Sequence, residues 1–118
     1  MNADRLIDDT LNDILSAAEK AIEFVAGMSP NDLEDDDRTE FAVIKALEIV
    51  GEAARRVPES FRESQPQIPW REMAAMRDKL VHDYFGVDLE VVWKTIHEDL
   101  PPLVAALQSL IDELQRPK

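Results

Sequence analysis

The stretch Ala3–Gly27, ADRLIDDTLNDILSAAEKAIEFVAG, sets the class of the fold. Ile7, Leu11, Ile14, Ala18, Ile22 and Val25 recur at steps of three and four. An α-helix turns ~100° per residue, so these side chains form one apolar stripe. The spacing predicts a helix from Ala3 to Ala26, with Gly27 as its C-cap and Pro30 soon after. The segment SPNDLEDDD (Ser29–Asp37) reads as a loop. Its acids gather where the next helix starts, which suits the positive end of a helix dipole.

The same period continues outward. A second helix is expected from about Asp37 to Val57, with Phe41, Ile44, Leu47, Val50 or Gly51, and Ala54 as its stripe. Gly51 and Ala54 are small, so this face is expected to meet a neighbouring helix closely. Pro58 ends it. PESFRESQPQIP (Pro58–Pro69) reads as a loop with room for one short helical turn. Pro69 opens a third helix, expected to run to about His82 with Gly86 as its outer bound. Asp88 caps a fourth, which places Leu89, Val92, Trp93 and Ile96 on one side. Pro101 and Pro102 remove two backbone donors and must break or kink the chain. A last helix carries Leu103, Leu107, Leu110, Ile111 and Leu114. There is no internal repeat and no convincing strand. The expected fold is all-α: one domain over residues 1–118, an up-and-down bundle of four to five helices.

Composition agrees. Apolar residues make up 45% and aromatics 6%, with three Gly, which favours helices over a sandwich or barrel. No apolar run approaches the ~20 residues of a membrane span. The acidic N-terminus, MNADRLIDD, lacks the regions of a signal peptide. No cysteine is present, so there is neither a disulfide framework nor a thiolate metal site. A soluble, cytoplasmic protein is expected. Net charge is −12, which opposes indiscriminate binding to nucleic acid. The charge is uneven, however. Arg55–Lys79 carries Arg55, Arg56, Arg62, Arg71, Arg77 and Lys79 against four acids, net +2, and leaves −14 elsewhere.

That basic region runs into RDKLVHDY, Arg77–Tyr84. On a helical wheel Trp70, Met73, Ala74, Leu80, Val81 and Tyr84 fall within ~60° of Arg77. Arg77 then sits amid an apolar stripe. A guanidinium is costly to bury unpaired and cannot shed its charge. It needs a carboxylate, such as Glu48 or Glu52, or it must reach solvent or face a cleft. Tyr84 on the same face reads equally as a core tyrosine with a wet hydroxyl. His82 lies ~140° from Arg77 on a continuous helix, and a lone surface histidine is the plain reading. For the two to meet one phosphate, either the helix ends near Val81 or a second subunit completes the groove.

Other chemistry finds no support. His82 and His97 are too distant in sequence to suggest a metal site. The acidic run Asp32–Asp37 lacks the alternating ligands of a calcium loop. There is no phosphate-binding glycine loop and no glycine-flanked serine. No metal or other cofactor is expected.

The motif R-x4-H-x-Y, here Arg77, His82 and Tyr84, resembles the signature of HEPN-domain proteins of the HepT type. These are ribonuclease toxins of two-gene bacterial toxin–antitoxin systems of the MntA/HepT kind. IVGEAARRVPES (Ile49–Ser60), IPWREMAAMRDKLVHDYFGVD (Ile68–Asp88) and VVWKTIHEDLPPL (Val91–Leu103) look like this family in matching order. A polar residue after the arginine is usual there; Asp78 stands where asparagine is more often expected. The resemblance implies a homodimer with two copies of the motif lining an interface cleft, and metal-independent cleavage of RNA, tRNA or mRNA. It implies Arg77 and His82 as catalytic, with Asp78 and Tyr84 supporting. Tyr84 would accept AMP from a partner nucleotidyltransferase antitoxin, which silences the toxin. The alternative is a non-catalytic helical partner of a minimal nucleotidyltransferase.

Overall fold

The structure is a computed structural model. It describes residues 3–76, 78, 81–83 and 86–116, with backbone alone for 3–5, 81–83 and 86–87. Helix α1 spans Ala3–Phe24. Leu11, Ile14, Ala17, Ala18 and Ala21 are buried along it, with Val25 just beyond its end, so the stripe read from the sequence faces the core. Gly27 reverses the chain at φ 78°, a conformation that disfavours any Cβ, and Met28 N donates to Val25 O at 3.0 Å.

The expected loop after it holds a short helix, α2, Pro30–Glu34. Ser29 Oγ accepts from Asp32 N at 3.2 Å, while Ser29 N donates to the Asp32 carboxylate at 2.9 Å. This reciprocal capping box, with Pro30 in the first turn, nucleates the helix, and buried Leu33 pins it to the core. Helix α3 spans Asp37–Arg56. Asp36 caps it, accepting from Thr39 N at 3.0 Å and from Thr39 Oγ1 at 2.7 Å. The backbone bond from Thr39 is the main cause holding the Asp36 carboxyl below its ordinary pKa.

Helix α3 packs on α1 and on α5. Its buried face is Val43, Ala46, Leu47, Val50, Gly51, Ala53 and Ala54. Phe41, expected in the stripe, is 75% exposed. Val43, Ala46, Leu47 and Val50 form an equally good repeat, rotated from the one that begins at Phe41, and the short side chains of this set allow helices to approach.

Helix α4, Glu59–Ser64, is the short turn expected in the Pro-rich connection. Helix α5 spans Trp70–Ala74, where the third helix is expected to begin. Trp70 is buried; its Nε1 donates to Gln65 O at 3.0 Å and its ring meets Phe61 edge-on at 6.4 Å. After a turn at Ala75, Met76 and Asp78 are again helical; from Val81 the backbone is extended, and β1, Val81–Asp83, pairs antiparallel with β2, Gly86–Val87. Both the expectation of helix to His82 and that of no strand are therefore corrected. Valine, histidine and aspartate are poor helix formers, and aromatic residues and Gly86 follow them, so the local sequence favours extended chain and a turn.

Asp88 caps α6, Leu89–Lys94, accepting from Glu90 N at 3.1 Å and Val91 N at 3.2 Å. A π-helical segment, Thr95–Asp99, leads directly into α7, Leu100–Gln115. Pro101 and Pro102 thus interrupt hydrogen bonding without breaking the helical path. They occupy the first turn of α7, where missing donors cost little, and Leu100 N bonds back to Thr95 O across the wide turn before them. Buried Thr95 is satisfied by donating to Val91 O at 2.8 Å. Helix α7 buries Leu103, Leu107, Leu110 and Ile111 and packs on α1. No helix among the described residues is long and apolar enough to cross a membrane.

Two leucines of α7 test this packing. Leu107 is fully buried and Leu114 is 41% exposed. Leu107→Ala is expected to cost about 2–5 kcal/mol in urea unfolding. Leu114→Ala should stay within about 1 kcal/mol of the parent. Equal losses at the two positions would contradict the packing.

Candidate functional site

The sequence places the candidate site between α5 and β2. Arg77 and Tyr84 lie outside the described residues. Their common helical face, inferred from a continuous wheel, loses its basis because residues 81–83 are not helical. The same holds for the ~140° between Arg77 and His82, a figure that assumes unbroken helix. Of the two ways considered for them to meet, an early end to the helix is the one for which β1 makes room. His82 belongs to β1, and its side chain lies outside the described residues.

The register adds something the sequence did not suggest. Val81 pairs with Val87 and Asp83 with Gly86. Two steps along β1 thus face one along β2, which leaves His82 as the extra residue of a bulge. Bulges bend a strand locally and are frequent beside active sites. No turn dipeptide such as Asn-Gly marks this pair in the sequence, so the hairpin signal was weak.

Asp78 is described. Its carboxylate lies 3.6 Å from an Arg55 Nη, and both side chains are largely exposed. The partner found for Asp78 is therefore at the C-terminal end of α3. Arg55 also joins Glu48, Gly51 and Glu52 around a cavity of about 230 Å³ beside Ala74. The two carboxylates suggested as counter-ions for Arg77 thus lie near the end of α5. Glu52 itself pairs with Arg56 at 3.3 Å.

Arg55 also lines an open cleft of about 460 Å³. Arg55 from α3, Arg62 from α4 and Arg71 from α5 line it, together with Glu59, Glu63 and Asp78. Half of the locally basic region read from the sequence is gathered here by the fold. Trp70 contributes to the lining but is 7% exposed and packed on Phe61, so it is spent inside the protomer.

His97 is accounted for locally. Its Nδ1 lies 2.9 Å from Trp93 O, and the two rings stack with centroids 4.0 Å apart. A carbonyl can only accept, so Nδ1 carries the hydrogen in this contact. Among the described residues no group of three or more His, Asp or Glu side chains is placed to hold a metal ion.

Comparison with known proteins bears on the same residues. A family model described as "Ribonuclease HepT-like" matches residues 14–110, a span that includes Arg77–Tyr84. A Thermococcus cleftensis protein named "Probable ribonuclease HepT" is 51% identical over 102 residues, covering 86% of this chain and 93% of its own. Two others are provisionally named as RNases. One, from Caldanaerobacter subterraneus, is 40% identical over 87% of this chain and 92% of its own. The other, from Methanocaldococcus jannaschii, is 39% identical over 89% and 90%. No solved structure matches. A family match over most of the chain, joined by relatives alike along nearly their whole length, places this protein in the HepT-like ribonuclease family.

Proposed function

We propose that the protein is a metal-independent endoribonuclease, the toxin of a toxin–antitoxin pair, acting as a homodimer. One observation carries the reading: the family match runs through the R-x4-H-x-Y motif, whose residue types suit the chemistry. Cleavage without metal uses the substrate's own 2′-hydroxyl as nucleophile. It requires proton transfer and stabilisation of charge building on phosphorus. Histidine titrates near neutrality, so His82 serves as general base or acid. Arg77 presents a planar fork of donors to the phosphoryl oxygens. The bulge in β1 supports this assignment, since it sets His82 apart from a regular ladder.

In this reading two copies of the motif line one cleft between protomers. AMP on Tyr84 places an anion and a base there, blocking RNA by bulk and by like charge. The acidic chain suits a focused cleft better than a broad RNA-binding face. Incubation with ATP and the cognate nucleotidyltransferase is expected to add mass in AMP units at Tyr84 and to abolish RNA cleavage. Tyr84→Phe should remain unmodified. Stable complex formation with neither modification nor RNase activity would favour the non-catalytic partner instead. Light scattering should report a dimer at micromolar concentration; a monomer would remove the shared cleft.

A further inference from the structure

The arginine cleft beside Asp78 is not explained by the roles of Arg77, His82 and Tyr84. Arg55, Arg62 and Arg71 come from three different helices and meet only because α3, α4 and α5 converge. Among the described residues Arg62 and Arg71 have no ion-pair partner. Arg62 Nε has no hydrogen-bond partner among the described residues, so that guanidinium is not tied down by the protein. Arg55 meets Asp78 at 3.6 Å, a contact open to solvent and so readily exchanged. The volume of about 460 Å³ lies in the ~300–1,000 Å³ range of small-ligand sites. Asp78 follows Arg77 in the chain, so the cleft begins one residue from the proposed catalytic arginine.

We propose that this cleft is a subsite for the RNA backbone next to the cleaved bond, with Arg62 and Arg71 gripping non-bridging phosphate oxygens. Arg55 leaves Asp78 to join them. Guanidinium forks match phosphate geometry, and a flexible single strand presents phosphates at any base sequence. Glu59, Glu63 and Asp78 in the same lining oppose the ligand. They keep the cleft from becoming a general anion trap and make binding depend on seating each phosphate at an arginine. The identity of the ligand rests on the ribonuclease reading.

The test is binding of a fluorescently labelled, fully 2′-O-methylated single-stranded RNA, read by anisotropy across a salt series. The 2′-O-methyl groups block attack by the neighbouring oxygen, so binding is read whether or not the protein cleaves. Arg62→Gln and Arg71→Gln should each weaken binding about three- to tenfold and lower the slope of log affinity against log salt by ~0.7. Asp78→Asn should tighten binding severalfold, a gain that misfolding does not produce. No binding by the parent protein, arginine variants that bind like the parent, or no gain with Asp78→Asn would each overturn the subsite. Loss of nucleotidyltransferase capture with RNA binding unchanged would do the same and assign the cleft to a protein partner. If the parent cleaves no RNA yet the three variants shift binding as expected, the ribonuclease reading falls, and the cleft stands as a site for RNA backbone without a neighbouring cleaved bond. If it cleaves RNA and binding is unmoved, the subsite falls alone.

Discussion

His82→Ala is expected to lower the rate of RNA cleavage by about a hundred- to ten-thousand-fold, the span over which a positioned general acid or base contributes. Methyl cannot carry a proton, and bulk water replaces it poorly in a cleft. The loss should fall on kcat more than on KM, because proton transfer is made in the transition state rather than on binding. His82 is the extra residue of the bulge, outside the paired register, so its replacement should leave the fold and Tm close to those of the parent. A small loss in activity, or a loss explained by unfolding, would remove His82 from the chemistry.

Arg77→Ala should cost about a hundred- to a thousand-fold, similar to removing one donor aimed at a developing oxyanion. Arg77→Lys should recover little of it. Lysine keeps the charge but offers a point donor in place of a planar fork, and bidentate contact with phosphoryl oxygens is lost. This separates a geometric role from a purely electrostatic one. Rescue to near the parent rate by lysine would show that charge alone suffices. Effects of Arg77 and His82 should be less than additive in the double variant, since each acts on the same transition state.

The helices were legible where one face of a long segment carries the apolar residues. The α1 stripe and the buried leucines of α7 follow directly from steps of three and four. Caps were legible where one side chain does the work, as at Asp88. The rest failed for specific reasons. Phe41 is large and apolar, but smaller Val43 and Ala46 suit the packed face of α3, and periodicity alone could not choose between two rotations. The Ser29–Asp32 capping box signals α2 in the sequence, yet its acids blend into the acidic run that follows. Pro101 and Pro102 read as a break, and only the π-helical turn shows how a helical path absorbs them.

At the candidate site the sequence names a motif but does not encode how its residues are arranged. A wheel requires unbroken helix, and residues 81–83 pair as strand. The wheel therefore made His82 awkward for a reason that the fold removes. Asp78 was assigned a supporting role toward Arg77 or His82, whereas its observed partner, Arg55, lies 23 residues earlier at the end of α3. The basic region between Arg55 and Lys79 was visible as a charge imbalance. That three of its arginines share one cleft depends on how α3, α4 and α5 meet, which no local pattern encodes.

The most direct measurement is cleavage of single-stranded RNA by the purified parent protein in excess EDTA, alongside Arg77→Ala and His82→Ala. The account predicts cleavage by the parent, with ends left by attack of the 2′-hydroxyl, and its loss in both variants. Cleavage that survives in both variants, or that stops when metal is chelated, would contradict it.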